Sequence, residues 1–246
     1  MIGWKMRRKL SKLMLSVSMM VILTFITACS ESVSGCCEYS NPYNLEIVYC
    51  IDTYNKQVAT NPDLALVDLE KLIPGIGMDI RYATANNFTG TVIYTAPKAF
   101  VRKPLAVALI KVQDSLSRLG LGLKIYDAYR PYSATVKFFE VYPDTNFVAN
   151  PRYGSRHNRG GAVDLSLISL STGKEVQMPT EYDDFTEKAH PDYMDLPAGA
   201  IANRELLFGV MQHFGFAHFP TEWWHFDFEG WNKFPLMDLK FEELGK

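Results

Sequence analysis

No apolar run in this 246-residue chain is long enough to span a bilayer comfortably, and there is no internal repeat and no low-complexity block. Neither sign of charge is in large excess. The formal net charge of −2 gives no reason to expect nucleic acid or an anionic membrane surface as a partner. His-Glu-x-x-His, which would place two metal ligands on one helix, is absent. Cysteine is scarce, with four in the whole chain. What is present is an ordinary globular balance, 48% hydrophobic and 21% charged, in a length that fits one well-filled domain or a domain plus a tail.

The N-terminus differs in kind from the rest. Lys5, Arg7, Arg8, Lys9 and Lys12 precede an apolar stretch from Leu13 to Ile26, which suits the core of an export signal. It ends Ile26-Thr27-Ala28-Cys29, which is similar to a bacterial lipobox. That likeness implies cleavage after residue 28, diacylation of Cys29 and attachment to a bacterial membrane, facing the periplasm or the cell surface; an ordinary signal peptide or an uncleaved anchor is the plainer alternative. In an oxidising compartment Cys36, Cys37 and Cys50 allow one disulfide, with Cys50 bridged to either of the other two. No nearby histidine or second cysteine pair completes a zinc site there. Ser30 to Asn44 reads as a tether, so residues 29–63 are expected to be tether and N-terminal extension, and 64–246 the folded domain.

Within that domain Pro104 opens a helical pattern with Leu105, Leu109, Val112 and Leu116 on one face, stopped by Gly120. Leu123 to Asp127 reads as a strand, and Pro131 suits the first turn of a helix reaching Val141. Ala162 to Leu170 reads as a strand. Ala200 to Phe214 reads as a helix with Ile201, Leu207, Val210, Met211 and Phe214 inward and Gly215 at its end. Phe216 to Phe219 and Trp223 to Phe228 finish as strands. The sum is an α+β fold, helices against a small, mostly antiparallel sheet.

The chemistry concentrates in two places. In Ser155-Arg156-His157-Asn158-Arg159-Gly160-Gly161-Ala162-Val163-Asp164, glycines let the backbone turn so that an imidazole and a carboxylate converge. Glu222-Trp223-Trp224-His225 adds a second imidazole and a second carboxylate. Two histidines and a carboxylate suffice for catalytic zinc with one position left for water. A further carboxylate must take the water proton and pass it to the leaving amine, for which Glu222 is the candidate. Arg130 could stabilise the developing oxyanion. Spacing alone does not decide this, because a histidine beside a glycine loop is more often a capping or core residue.

The joint pattern resembles the D-alanyl-D-alanine dipeptidases, the VanX-like branch of the zinc D-Ala-D-Ala peptidases. The motifs that carry it are Ser155 to Asp164, Glu222 to His225, the run from Tyr82 to Gly90, and Asp127-Ala128-Tyr129-Arg130-Pro131. Tyr182-Asp183-Asp184-Phe185 followed by Ala189-His190 completes them; relatives carry Ser where this chain has Ala189. The resemblance covers about Leu66 to Phe228. It implies the fold of that superfamily, shared with hedgehog-like domains, with the metal site at the sheet. It also implies one Zn2+ per subunit on His157, Asp164 and His225, Glu222 as general base, and Arg130 stabilising the tetrahedral intermediate. Asp183, nineteen residues after the metal aspartate, would take the free amino group of the dipeptide, and the substrate carboxylate is expected near Ser155 and the Tyr82 hydroxyl. Asp183 and Asp184 also suit a solvated acidic turn, and Tyr82 a core position. Trp223 and Trp224 read as wall and core, and His190, His213 and His218 as structural.

The expected activity is hydrolysis of D-Ala-D-Ala in cell-wall dipeptide turnover outside the cytoplasm. The alternatives are a D,D- or L,D-carboxypeptidase on muropeptides, which would share the metal triad, and a zinc-holding wall-binding lipoprotein without turnover. Glu222 and Arg130 speak against the last, since a pure binder needs neither a base nor an oxyanion donor.

Overall fold

In the computed structural model, residues 39–244 are described; the leader, Cys29, Cys36 and Cys37 lie outside them. Cys50 is disulfide-bonded. In chain order the elements are β1 (Ile47–Val48), α1 (Ile51–Thr60), β2 (Leu66–Asp68), α2 (Leu69–Leu72), β3 (Gly77–Met78), β4 (Phe100–Arg102) and α3 (Lys103–Ser117). There follow β5 (Leu121–Asp127), α4 (Tyr132–Val141), β6 (Ala162–Ser169), α5 (Ala198–His213), β7 (Phe216–Phe219), β8 (Glu222–Phe228) and β9 (Leu236–Met237).

Five strands form the principal sheet, in the order β3-β5-β6-β8-β7, with β3 parallel to β5 and every other pairing antiparallel. The expected α+β arrangement is therefore present. Two-stranded pairings of β1 with β9 and of β2 with β4 flank it. These short strands have too few residues to display a period, so the sequence gives no warning of them.

The helix opened by Pro104 forms as its spacing requires, with Leu105, Leu109, Val112 and Leu116 fully buried. Along β6 the period of two sends Val163, Leu165 and Leu167 to one face and Asp164 to the other. Helix α3 packs on β5, and α5 on β7 and β6. On α5, Leu207 and Met211 are fully buried, and Val210 and Phe214, half-buried, pack against the same core; Ile201 is half-buried, and Arg204, not among the residues read as inward, is buried as well. Its guanidinium is satisfied by the Tyr193 carbonyl at 2.7 Å and by Glu205 at 3.0 Å, which makes a buried arginine tolerable.

Part of the stretch read as an N-terminal extension is built into the same core. Val48 and Tyr54 belong to the principal apolar cluster, and the Tyr54 hydroxyl accepts from Leu66 N at 2.7 Å. Even Tyr39 is fixed, donating to Asp238 at 2.8 Å. Trp223 and Trp224 are buried wall and core. Among the described residues no helix is long and apolar enough to cross a membrane.

Candidate metal centre

Strand register explains how distant carboxylates and imidazoles meet. Asp127 on β5 stands opposite Asp164 on β6, and Asp164 opposite His225 on β8, so the three lie side by side across the sheet. Directly opposed residues bring their Cβ atoms within about 4.5–5.5 Å, close enough for short polar side chains to share one point. A register shift between Ile125 and Asp127 marks the β5 end of this row.

His157 arrives from the other side, on a short 3-10 turn (His157–Arg159). Gly160 follows it with a φ of 64°, a conformation that side chains resist, and a Cβ there would meet Leu66 Cδ2 at 2.8 Å. Beside it, a Cβ on Gly161 would stand 2.7 Å from Trp231 Cβ. The glycine pair thus serves close packing as well as turning. Arg130 N closes the turn by donating to the His157 carbonyl at 3.1 Å.

Three ligand atoms converge. His157 Nε2 is 3.1 Å from His225 Nδ1 and 3.3 Å from Asp164 Oδ1, and His225 Nδ1 is 2.9 Å from Asp164 Oδ1. An ion with tetrahedral bonds of ~2.0–2.1 Å sets its ligands ~3.3 Å apart, so the triangle has the right size. The outer nitrogens settle the tautomers by their partners. His157 Nδ1 lies 2.7 Å from the Ala128 carbonyl, which can only accept, and His225 Nε2 lies 2.9 Å from Asp227 Oδ1. Each ring then turns a lone pair toward the centre, where the buried Asp164 Oδ1 has no hydrogen-bond donor. The centre calls for positive charge: although burial opposes it, Asp164 and Asp227 push His225 up to about 10. Burial would likewise raise Asp164, but His157 and His225 outweigh it and hold that carboxyl far below the usual range. A proton on His225 answers one lone pair; a divalent cation answers all three. The donor set fits a metal.

Glu222 begins β8, its Oε2 3.9 Å from His225 Nδ1. An ideal strand would send residues three apart to opposite faces. The register shift between His218 and Phe219, where Phe219 pairs with Glu222, accompanies their approach. Burial pushes the Glu222 carboxyl up to about 8, with Asp164 adding to the rise and His225 opposing it.

Arg130 is clamped by Asp127, which accepts from Nε at 3.0 Å and from Nη2 at 2.8 Å, and it lies over the Phe138 ring. Burial would strip its proton, but Asp127 outweighs that and keeps the charge fixed. Asp183 points into the same space from a backbone φ of 63°, an uncommon conformation for a residue with a side chain and one that recurs at functional sites. Although half-buried by surface, it is pushed well above the usual carboxylate range, by burial first and then by Asp164 and Glu222. Asp184 turns away and accepts from Thr186 N at 3.1 Å. Of the two, Asp183 enters the site.

His157, Asp164, His225, Glu222, Arg130 and Asp183 all line one cavity of about 240 Å3, with Phe88, Phe138, Phe147 and Phe185 as apolar wall. Tyr82 and Ser155 line it too. The Tyr82 hydroxyl donates to Asp183 at 3.0 Å, so a substrate carboxylate beside it would meet another carboxylate. The Ser155 hydroxyl accepts from Asn158 N at 3.2 Å, and Asn158 Oδ1 accepts from Ser155 N at 2.7 Å, a closed local turn. His190 takes part only in a turn, and His218 stacks on Phe208.

Asp227 and Tyr182 had no assigned role in the sequence. Asp227 stands two residues past His225 on one strand, hence on the same face, which was a usable signal. Its Oδ2 pairs with Arg156 Nε at 2.8 Å, and Arg156 is held between the rings of Phe219 and Trp231.

Residues 62–241 match the family model described as D-ala-D-ala dipeptidase, Peptidase_M15. A D-alanyl-D-alanine dipeptidase of Escherichia coli K12 is 35% identical over 176 residues, covering 72% of this chain and 91% of the relative. One from Streptomyces coelicolor is 35% identical over 187 residues, 67% of this chain and 90% of the relative. One from Enterococcus faecium is 29% identical over 184 residues, 67% of this chain and 91% of the relative.

Proposed function

Because the chain belongs to the Peptidase_M15 family of D-ala-D-ala dipeptidases and is a peptidase of that family, we propose that it hydrolyses free D-Ala-D-Ala, or a close D,D-dipeptide, at one zinc ion on His157 Nε2, Asp164 Oδ1 and His225 Nδ1. When bound, zinc acidifies a water molecule and polarises the scissile carbonyl. Glu222 takes the proton of the attacking water and returns it to the leaving amine. Its carboxyl, buried in the same cavity with one oxygen 3.9 Å from His225 Nδ1, stands within reach of a water held at the centre. Arg130, its charge fixed by Asp127, faces the oxyanion. Asp183 takes the substrate ammonium, and Tyr82 steadies Asp183 rather than the substrate carboxylate.

The observation that carries this reading is the presence of Asp183 in the same 240 Å3 cavity as the ligand triangle and Glu222. A cavity below the ~300–1,000 Å3 of sites for drug-sized ligands, with an acid at one end, suits a small substrate with a free amine. The test is to incubate the purified protein with D-Ala-D-Ala, L-Ala-L-Ala and a muropeptide ending in D-Ala-D-Ala, with and without chelator. The reading requires chelator-sensitive cleavage of D-Ala-D-Ala in preference to the other two. Equal or better cleavage of the muropeptide would make the protein a carboxypeptidase, and cleavage indifferent to chelator would end the metal reading.

We further propose that the protein is exported and lipid-anchored through Cys29, which places it with wall-derived dipeptide rather than with a cytosolic pool; the basic and apolar leader from Lys5 to Cys29 supports this. Recovery of Cys29→Ala from the membrane fraction as fully as the parent protein would contradict it.

A further inference from the structure

Tyr182 is buried one residue before Asp183, its ring stacked on Tyr126 with centroids 4.5 Å apart and edge-on to Trp224 at 5.4 Å. Held between two rings, it offers its hydroxyl at one place. That hydroxyl lies 2.9 Å from Asp164 Oδ2 and 3.1 Å from the Tyr82 hydroxyl, which in turn lies 3.0 and 3.2 Å from the two Asp183 oxygens. Among the described residues Tyr182 supplies the hydrogen bond that Asp164 Oδ2 receives; Arg130 Nη2, at 4.0 Å, is too far. Resting on the metal reading above, we infer that Tyr182 is a positioning residue: its hydroxyl pins Oδ2 of Asp164 so that Oδ1 faces the ion, and it keeps that bond whichever way the hydrogens of Tyr82 and Asp183 turn.

The number of hydrogens available explains why the bond persists. Each phenol carries one hydrogen. When Asp183 holds a proton, all contacts can be filled in one direction, from Asp183 to Tyr82, to Tyr182, to Asp164. When Asp183 is ionised, as an arriving ammonium requires, the Tyr82 hydrogen turns to Asp183, and the single Tyr182 hydrogen must choose between Tyr82 and Asp164. The anionic Asp164 is the stronger acceptor, so the Tyr182 bond to the ligand survives while the link between the two tyrosines is lost. Tyr182 thus holds the metal ligand in either state of the substrate end.

The experiment is the transfer of zinc from the loaded protein to an excess of chromophoric chelator, for the parent protein, Tyr182→Phe and Tyr82→Phe, with kcat and KM for D-Ala-D-Ala alongside. Tyr182→Phe keeps the stacked ring and removes only the hydroxyl. It is expected to weaken zinc binding by ~10–100-fold, the usual cost of losing an outer partner of a metal ligand. Tyr82→Phe leaves the bond to Asp164 intact and is expected to hold zinc as tightly as the parent while raising KM. Zinc binding at parent strength in Tyr182→Phe overturns the inference, as does equal loosening in Tyr82→Phe, which would mean that the loss does not come from the Tyr182 bond to Asp164. If the parent protein takes up no zinc, the metal reading falls and this inference with it; if the parent binds zinc and cleaves D-Ala-D-Ala while Tyr182→Phe behaves identically, the inference alone falls.

Discussion

Replacing Asp227 by alanine removes the group that gives His225 its tautomer. In the parent protein His225 Nε2 donates to Asp227 Oδ1 at 2.9 Å, which leaves Nδ1 bare for the ion, and Arg156 holds the other oxygen at 2.8 Å. Without Asp227 the imidazole hydrogen has no fixed acceptor, and the ring can place it on the nitrogen needed for the metal. Loss of such an outer carboxylate costs ~10–100-fold in metal affinity, about 1.4–2.8 kcal/mol. Arg156 acts one step further out and with a side chain 36% exposed, against 15% for Asp227. A pair this open to water contributes at most about 1 kcal/mol, so Arg156→Leu should loosen the metal by less than about 6-fold. Competition with a chromophoric chelator measures both. The reasoning is refuted if Asp227→Ala binds zinc as tightly as the parent, or if Arg156→Leu is the more damaging change.

Glu222→Gln keeps the shape of the base and removes its proton chemistry; kcat should fall by about 10²–10⁴ with zinc content unchanged, and a normal kcat would remove Glu222 from its role. Asp183→Asn should lower kcat/KM for D-Ala-D-Ala by ~100-fold or more, through the lost ion pair with the substrate amine, while raising the melting temperature at neutral pH. The sign follows from the raised carboxyl: the unfolded chain ionises near pH ~3.9 but the folded one resists, so the parent loses stability as pH climbs from there toward the raised value, and the amide does not. Melting curves of the two proteins that run parallel between pH 4 and 8 would contradict it. Gly161→Ala drives a methyl to within 2.7 Å of Trp231 Cβ, and overpacking of this kind costs about 1–3 kcal/mol. The melting temperature should drop by several degrees, and an unchanged melt would show that Trp231 moves freely.

Long periodic segments were legible because their burial is decided by local spacing: α3, β6 and the β7–β8 ribbon lie within a few residues of where the apolar pattern puts them. The ligand triangle was legible for a different reason: spacing alone does not decide it, and the joint pattern of both His-carboxylate motifs with the other motifs carries it through resemblance to a known family. Three things were hidden. Arg204 sits on an inward face because the carbonyl that satisfies it comes from Tyr193, outside the helix itself. What separates Asp183, to which the resemblance points, from Asp184 is backbone handedness, a φ of 63° that two adjacent aspartates do not announce. The hydrogen bond from the Tyr82 hydroxyl to Asp183 has no trace in local pattern, because it spans 101 positions. The outer partner Asp227 was within reach, had the strand been read by face rather than by motif.

On the proposed reading, His157 Nε2, Asp164 Oδ1 and His225 Nδ1 share one divalent ion. Anomalous diffraction from crystals of the zinc-loaded protein, recorded at the zinc edge, tests it directly. One strong peak is expected, with those three atoms at ~2.0–2.2 Å and Glu222 outside bonding distance. A peak that binds His225 through Nε2, that includes Glu222 as a ligand, or that lies elsewhere in the molecule would contradict it.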